Sequence, residues 1–250
     1  MKQPMITAHS GCENTMRDSF DSLLAAEQMG AQAVEVDVRM DYRGCLRLSH
    51  DRRSCQEEYD RAVPFASAAA FIVRHHMTIN CDVKEPGIIH EIFQVLHRFG
   101  VPKEQIWITG GISPLQLLMD PSITETAHVY LNLEEILKYL YLPEIGWSRF
   151  DYQKLIQNPW SILSPAMDRF QDYFPDIEFL FHLSKAEGLN LPYRRMDEEK
   201  YRLLESAGIH YSLWTVDEEA DAHSILERES PWLDNITTRK YQLIRGVLAG

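Results

Sequence analysis

The hydrophobic positions of this chain follow two periods in alternation. Short runs with a period of two, or apolar throughout, read as strands; longer stretches with apolar residues three and four apart read as amphipathic helices. The clearest short run is Val34-Glu35-Val36-Asp37-Val38. In a strand its three valines share one face, suited to packing under helices, and its two carboxylates share the other. Acids side by side on an inward face repel each other unless a cation lies between them or one holds a proton. A half-exposed edge strand with both acids in water is the plainer alternative.

The same reading extends along the chain. Met5–Ala8 is a short strand ending at His9-Ser10-Gly11. Asp18 is placed to cap a helix with Phe20, Leu23 and Leu24 on one face and Gly30 at its end. The strand Ala33–Val38 follows, so the chain opens with a β-α-β crossover unit. A turn at Asp41-Tyr42-Arg43-Gly44 leads to a short strand, Cys45–Ser49, which delivers His50-Asp51. Helix Ala66–His75, strand Met77–Val83, helix Ile88–Phe99, strand Gln105–Thr109, helix Ser113–Met119 and strand Ala127–Leu131 continue the alternation. Residues 132–175, rich in aromatics and prolines, interrupt it, with two helices expected. Helix Asp176–Glu187, strand Leu189–Leu191, helix Glu198–Ala207, strand His210–Val216, helix Glu218–Glu227, strand Asp234–Thr237 and a helix from Tyr241 complete it. Cys45–Ser49 is an excursion from a series of eight strands, and no linker divides the chain. The pattern predicts an α/β fold, one (β/α)8 TIM barrel domain over 1–250 with a small excursion after the second strand, rather than an open doubly wound sheet.

Composition narrows the partners. The 250 residues are 45% hydrophobic and 25% charged, the balance of an ordinary globular protein. Lys plus Arg number 25 against 37 Asp plus Glu, a net charge of −12, which argues against nucleic acid or an anionic membrane surface as a partner. No stretch approaches membrane-spanning length, and the N-terminal residues contain no apolar signal core, so a cytoplasmic location is expected without stable membrane insertion. Cys12, Cys45, Cys55 and Cys81 form no CxxC pair, which fits free thiols in a reducing compartment and argues against a zinc site.

In such a barrel the functional groups gather at the C-terminal ends of the strands. There the sequence places His9, the pair Glu35 and Asp37, His50 on the excursion, Asp82 and Lys84, and Trp214. Three carboxylates, two histidines and a lysine at one mouth make a site for a divalent cation with acid–base groups beside it. Oxygen ligands favour Mg²⁺ or Ca²⁺ over zinc.

These residues carry a resemblance to the glycerophosphodiester phosphodiesterase family. That family runs a strand into His-Arg-Gly, opens a helix with Pro-Glu-Asn-Thr, and continues through Glu-Leu-Asp-Val, His-Asp and Glu-Ile-Lys to Trp-Thr-Val-Asn. The counterparts are His9-Ser10-Gly11, Glu35-Val36-Asp37-Val38, His50-Asp51, Asp82-Val83-Lys84 and Trp214-Thr215-Val216-Asp217, in the same order, with Asn235-Ile236-Thr237-Thr238 resembling the closing strand. The resemblance implies metal-dependent hydrolysis of a small-molecule phosphodiester. Glu35, Asp37 and Asp82 would be metal ligands, His9 and His50 acid and base, Lys84 a phosphate contact and Trp214 an apolar wall for glycerol or a head group. A lipid phosphodiesterase of the phospholipase C or sphingomyelinase D kind, with an apolar rim from the Trp147–Trp160 region, is the first alternative. A non-catalytic member that binds phosphorylated ligands is the second.

The departures point to a divergent branch. Ser10 replaces an arginine that the family places near phosphate, and Asp82 replaces a glutamate one methylene longer. Spacing back from Glu35 aligns Met16-Arg17-Asp18-Ser19, rather than Glu13-Asn14-Thr15, with Pro-Glu-Asn-Thr. Arg17 then stands where the family has its glutamate, and is the first candidate to replace the lost guanidinium; Arg39, two residues beyond Asp37 on the same strand face, is the second.

Overall fold

The structure, a computed structural model, describes residues 3–146 and 150–249. Nine strands follow in order: β1 (Met5–Ala8), β2 (Ala33–Met40), β3 (Leu46–Leu48), β4 (Thr78–Val83), β5 (Ile106–Gly110), β6 (His128–Asn132), β7 (Gly188–Pro192), β8 (His210–Trp214) and β9 (Leu233–Thr238). Eight of them are parallel neighbours in the order β1-β9-β8-β7-β6-β5-β4-β2, and β1 pairs with β2 to close the ring. The fold is a (β/α)8 barrel. β3 lies outside it, antiparallel to β2 with Val38 opposite Leu48, as a hairpin on one barrel strand.

Strand alternation places the two faces of β2 in different surroundings. Val34, Val36 and Val38 are buried in the apolar layer between strands and helices. That layer is completed by helices such as Ile89–Arg98, whose Ile89, Ile92, Phe93 and Leu96 recur at helical spacing and are all buried. The inner face of the barrel is unusually polar. Thr7 Oγ1 donates to Asn235 Oδ1 at 2.7 Å, Asn235 Nδ2 to Ser212 Oγ at 3.0 Å, Thr109 Oγ1 to Asn80 Oδ1 at 3.1 Å and Asn190 Nδ2 to Asn132 Oδ1 at 2.9 Å. Buried polar groups are tolerated where they are paired in this way. The branched aliphatics that usually fill such a barrel lie outside the ring here.

Two expectations need correction. The hydroxyl of Ser19, not the carboxylate of Asp18, caps helix Phe20–Gln28 by accepting from the Ser22 amide. Where three helices were expected between β6 and β7, two over 132–175 and one over Asp176–Glu187, the segment holds four among the described residues: Leu133–Ile145, Tyr152–Gln157, Trp160–Asp168 and Phe170–Ser184. The last begins six residues before Asp176 and runs through Pro175. Buried Phe170, Tyr173, Phe174, Ile177 and Phe181 lie along one face and hold the turn on which proline removes a hydrogen bond. Among the described residues no helix is long and apolar enough to cross a membrane.

Candidate active site

β2 and β4 are neighbours in register, with Asp37 beside Asp82. Inward alternation therefore stacks Glu35, Asp37 and Asp82 at the barrel mouth, where one oxygen of each lies within 4.8 Å of the others. Lys84, just past β4, closes on them: its Nζ is 2.9 Å from Asp37 Oδ1 and 2.5 Å from Asp82 Oδ2. Glu35 Oε2 accepts the Ser10 amide at 3.0 Å. Burial, with the charges of Asp37 and Asp82 beside it, pushes the Glu35 carboxyl well above its ordinary range. Burial also pushes Asp37 upward, but the Lys84 ammonium outweighs it and holds the group low. Burial would lower the Lys84 ammonium, and the three carboxylates raise it instead.

Asp37 Oδ2 is buried and has no hydrogen-bond partner among the described residues. A carboxylate oxygen so placed is costly unless a cation, or a neighbouring carboxyl that holds a proton such as Asp18, meets it. The donor set is all oxygen, which suits a hard cation such as Mg²⁺ or Ca²⁺. On both counts these three residues fit a divalent metal. Gly110, at the end of β5, leaves the room: a Cβ there would meet the Asp82 carboxylate and lie 2.5 Å from the Val83 carbonyl oxygen.

Two histidines stand near this cluster, and the charge of each bears on Asp37. His9 follows β1; its Nδ1 is 2.8 Å from the Ser10 carbonyl and 3.5 Å from Glu35 Oε2. The carbonyl only accepts, so Nδ1 carries the hydrogen and Nε2 keeps its lone pair in the neutral ring. Burial lowers the His9 pKa, against the opposing pull of the Ser10 carbonyl and Asp37. His50 follows β3, its side chain 40% exposed and its Nδ1 2.9 Å from Asp51 Oδ1. Its peptide is held at both ends: the amide donates to Asp18 Oδ2 at 2.7 Å, and the carbonyl accepts from Arg39 Nε at 3.0 Å.

Asp18 is the residue that sequence reasoning misplaced. Its backbone is left-handed, with φ of 58°, which turns the carboxylate into the mouth. There Oδ1 accepts from Ser10 Oγ at 2.9 Å while Oδ2 takes the His50 amide. Burial and the neighbouring Asp37 push its carboxyl up to about 7. Its only local signal was the one shared by every capping Asp. Of the two arginine candidates, Arg39 is engaged with the His50 carbonyl and lies 3.9 Å from Glu85. Arg17 is exposed, its charge bears on His9 and Asp51, and it has no ion-pair partner among the described residues.

Trp214 ends β8 on the other side of the mouth and lines a cleft of about 650 Å³ with Trp160, Tyr193, Arg194 and Arg195. Of the region expected as an apolar rim, Trp160 is only 7% exposed, and Trp147 lies outside the described residues.

No family model and no curated relative matches the sequence. Solved structures do. A glycerophosphodiester phosphodiesterase from Parabacteroides distasonis superposes with a TM-score of 0.68 at 12% identity, covering 98% of this chain and 97% of that one. One from Agrobacterium tumefaciens gives 0.67 at 14%, covering 99% and 100%. An Oleispira antarctica phosphodiesterase in complex with the product sn-glycerol-3-phosphate gives 0.65 at 16%, covering 99% and 97%. At these identities the likeness is one of fold, and over nearly its whole length the chain has the barrel seen in glycerophosphodiester phosphodiesterase structures.

Proposed function

We propose that this protein hydrolyses glycerophosphodiesters to an alcohol and glycerol phosphate, using a divalent cation, Mg²⁺ or Ca²⁺, held by Glu35, Asp37 and Asp82. The observation that carries the reading is the unpaired, buried Asp37 Oδ2 in a cluster of three carboxylates with an imidazole 3.5 Å from one of them. The glycerol-3-phosphate bound by the Oleispira barrel supports the choice of ester. When bound, the cation would neutralise charge that develops on the phosphate oxygens.

The chain's own groups supply the rest. His9, neutral with Nε2 available, takes the proton of the attacking water. His50, more exposed and with its Nδ1–H held by Asp51, gives a proton to the departing alcohol. Lys84 places a positive charge beside the phosphate and keeps Asp37 ionised. Arg17 supplies the guanidinium that Ser10 cannot. Trp214 presents an apolar face to one arm of the ester.

The two histidines separate in a single comparison. With glycerophosphocholine, His9→Ala and His50→Ala should each lower kcat by ~10²-fold or more, as loss of a proton-transfer group does. With a nitrophenyl diester, whose leaving group needs no proton, His50→Ala should recover most of its rate while His9→Ala stays slow. Full activity of either variant on glycerophosphocholine would remove that residue from its role. Turnover that persists in EDTA would remove the metal.

A further inference from the structure

The cleft beyond Trp214 has a chemistry that the hydrolytic site does not account for. It is built on the C-terminal ends of β7, β8 and β9 and on helix Trp160–Asp168. In the barrel's strand order β7 and β8 lie across the ring from β2 and β4, so the cleft faces the carboxylate cluster over the mouth. An ester whose phosphate sits at the cluster extends one arm toward it.

Arg194 and Arg195 follow β7 directly and line this cleft. Arg194 Nε donates to the Tyr193 hydroxyl at 2.8 Å, and its guanidinium lies 5.5 Å from the Tyr193 ring centre. Arg195 donates to Ser164 Oγ at 2.9 Å, its guanidinium 4.9 Å from the Trp160 ring centre. Neither has a carboxylate partner among the described residues, in a protein of net charge −12. A guanidinium offers five N–H donors, so most of theirs stay uncommitted. The third arginine in the lining, Arg239, is neutralised by Asp217, to which its Nε donates at 2.8 Å. Glu218 is the other acid of the lining, and Asp221, which accepts from the Tyr193 hydroxyl at 2.6 Å, lies behind that ring; both act on Arg194 from a distance without pairing with it, and Arg195 faces neither.

We propose that this cleft seats a second anionic group of the substrate, so that the arm of the diester reaching across the mouth is an alcohol bearing a phosphate or carboxylate of its own. The proposal rests on the phosphodiesterase reading and names its substrate class. Planar, oriented guanidinium groups match such oxyanions two bonds at a time. The same geometry disfavours choline. A quaternary ammonium binds on aromatic faces; the Trp160 and Tyr193 rings already carry guanidinium groups, which leaves Trp214 alone among the three rings, with two positive charges in the same lining.

Three substrates test this: glycerophosphoinositol 4-phosphate, glycerophosphoinositol and glycerophosphocholine, the first two differing by one phosphate. The wild-type kcat/KM should fall in that order, with the 4-phosphate favoured about tenfold or more over the unphosphorylated ring. In Arg194→Gln and Arg195→Gln that ratio should drop toward one. Calorimetric binding of glycerophosphoinositol 4-phosphate in EDTA gives a reading independent of turnover, and it should weaken about tenfold in either variant. Wild-type rates indifferent to the extra phosphate, or binding that survives both substitutions, would overturn the proposal. If the wild type hydrolyses none of the three yet binds the 4-phosphate through these arginines, the cleft stands and the hydrolytic reading falls. Should Arg195→Gln unfold through loss of its Ser164 and Trp160 contacts, Arg194→Gln carries the comparison.

Discussion

Gly110 has a backbone φ of 91° and packs against the Asp82 carboxylate and the Val83 backbone. A methyl group there strains the backbone and displaces a proposed metal ligand at once. Gly110→Ala should therefore cost roughly 1–3 kcal/mol of stability and weaken divalent-cation binding, both measurable by thermal scans with and without metal. A cation affinity equal to wild type would separate Gly110 from the site. Asp41 makes a different prediction. Burial raises its carboxyl, but the Cys45 amide, Arg47 and Gln56 outweigh it and leave the pKa at about 2. An unfolded Asp titrates near ~3.9, so the folded state binds its proton less readily. The resulting stabilisation, of the order of 2 kcal/mol, is fully present above pH ~4 and is lost as pH falls toward 2. Asp41→Asn should flatten that part of the stability curve, read by denaturant titration between those pH values. Legibility at this scale tracked distance along the chain. Glu35 and Asp37 stood out because their alternation with valine is local. Asp18 and Gly110 did not, since the Ser10, His50 and Asp82 partners that define them lie 8, 32 and 28 residues away.

At the scale of elements, the β2–β3 hairpin joins both kinds of proposed chemistry. Glu35 and Asp37 ride on one strand and His50 follows the other, while the Ser49 amide donates to the Asp37 carbonyl at 2.9 Å. The loop after β1 meets this hairpin through Asp18 and brings Arg17 to its edge. Arg17→Ala should raise KM for a glycerophosphodiester about tenfold or more, the loss expected of a charge-assisted contact worth ~1.5–3 kcal/mol, with a smaller effect on kcat. Steady-state kinetics unchanged by that substitution would leave Lys84 and the metal to hold the phosphate alone. The strands were legible because parallel strands buried on both faces form short apolar runs, and the helices of the regular units because their apolar residues recur at 3.6. The segment between β6 and β7 was not. Its prolines at 143, 165 and 175 lie inside helices, whereas the sequence reading began a helix only after Pro175, and long-range aromatic packing decides the outcome.

Across the whole molecule, three carboxylates and a half-buried lysine are held in close quarters by a barrel that must close around them. A cation that binds only the folded form stabilises it by mass action. Mg²⁺ or Ca²⁺ at about a hundred times its Kd should add ~2.7 kcal/mol, equivalent to roughly 5–11 °C in melting temperature for a chain of this length. Asp37→Asn should abolish the shift. A wild-type melting curve unmoved by either ion would remove the metal from the site. The barrel was legible as a count of strands in a β-then-α rhythm. Its polar interior was not, because Thr7, Ser212 and Asn235 read singly as unremarkable strand residues and their pairing exists only across the closed ring. That ring also sorts the proposed functions by position in the chain. His9, Glu35, Asp37, His50, Asp82 and Lys84 all precede β5, and apart from Trp160 the cleft residues belong to β7 and the segments after it. Evolution can therefore work on the two arcs separately. On the proposed reading, substitutions in the later arc would change which alcohol is accepted and leave the hydrolytic residues in place.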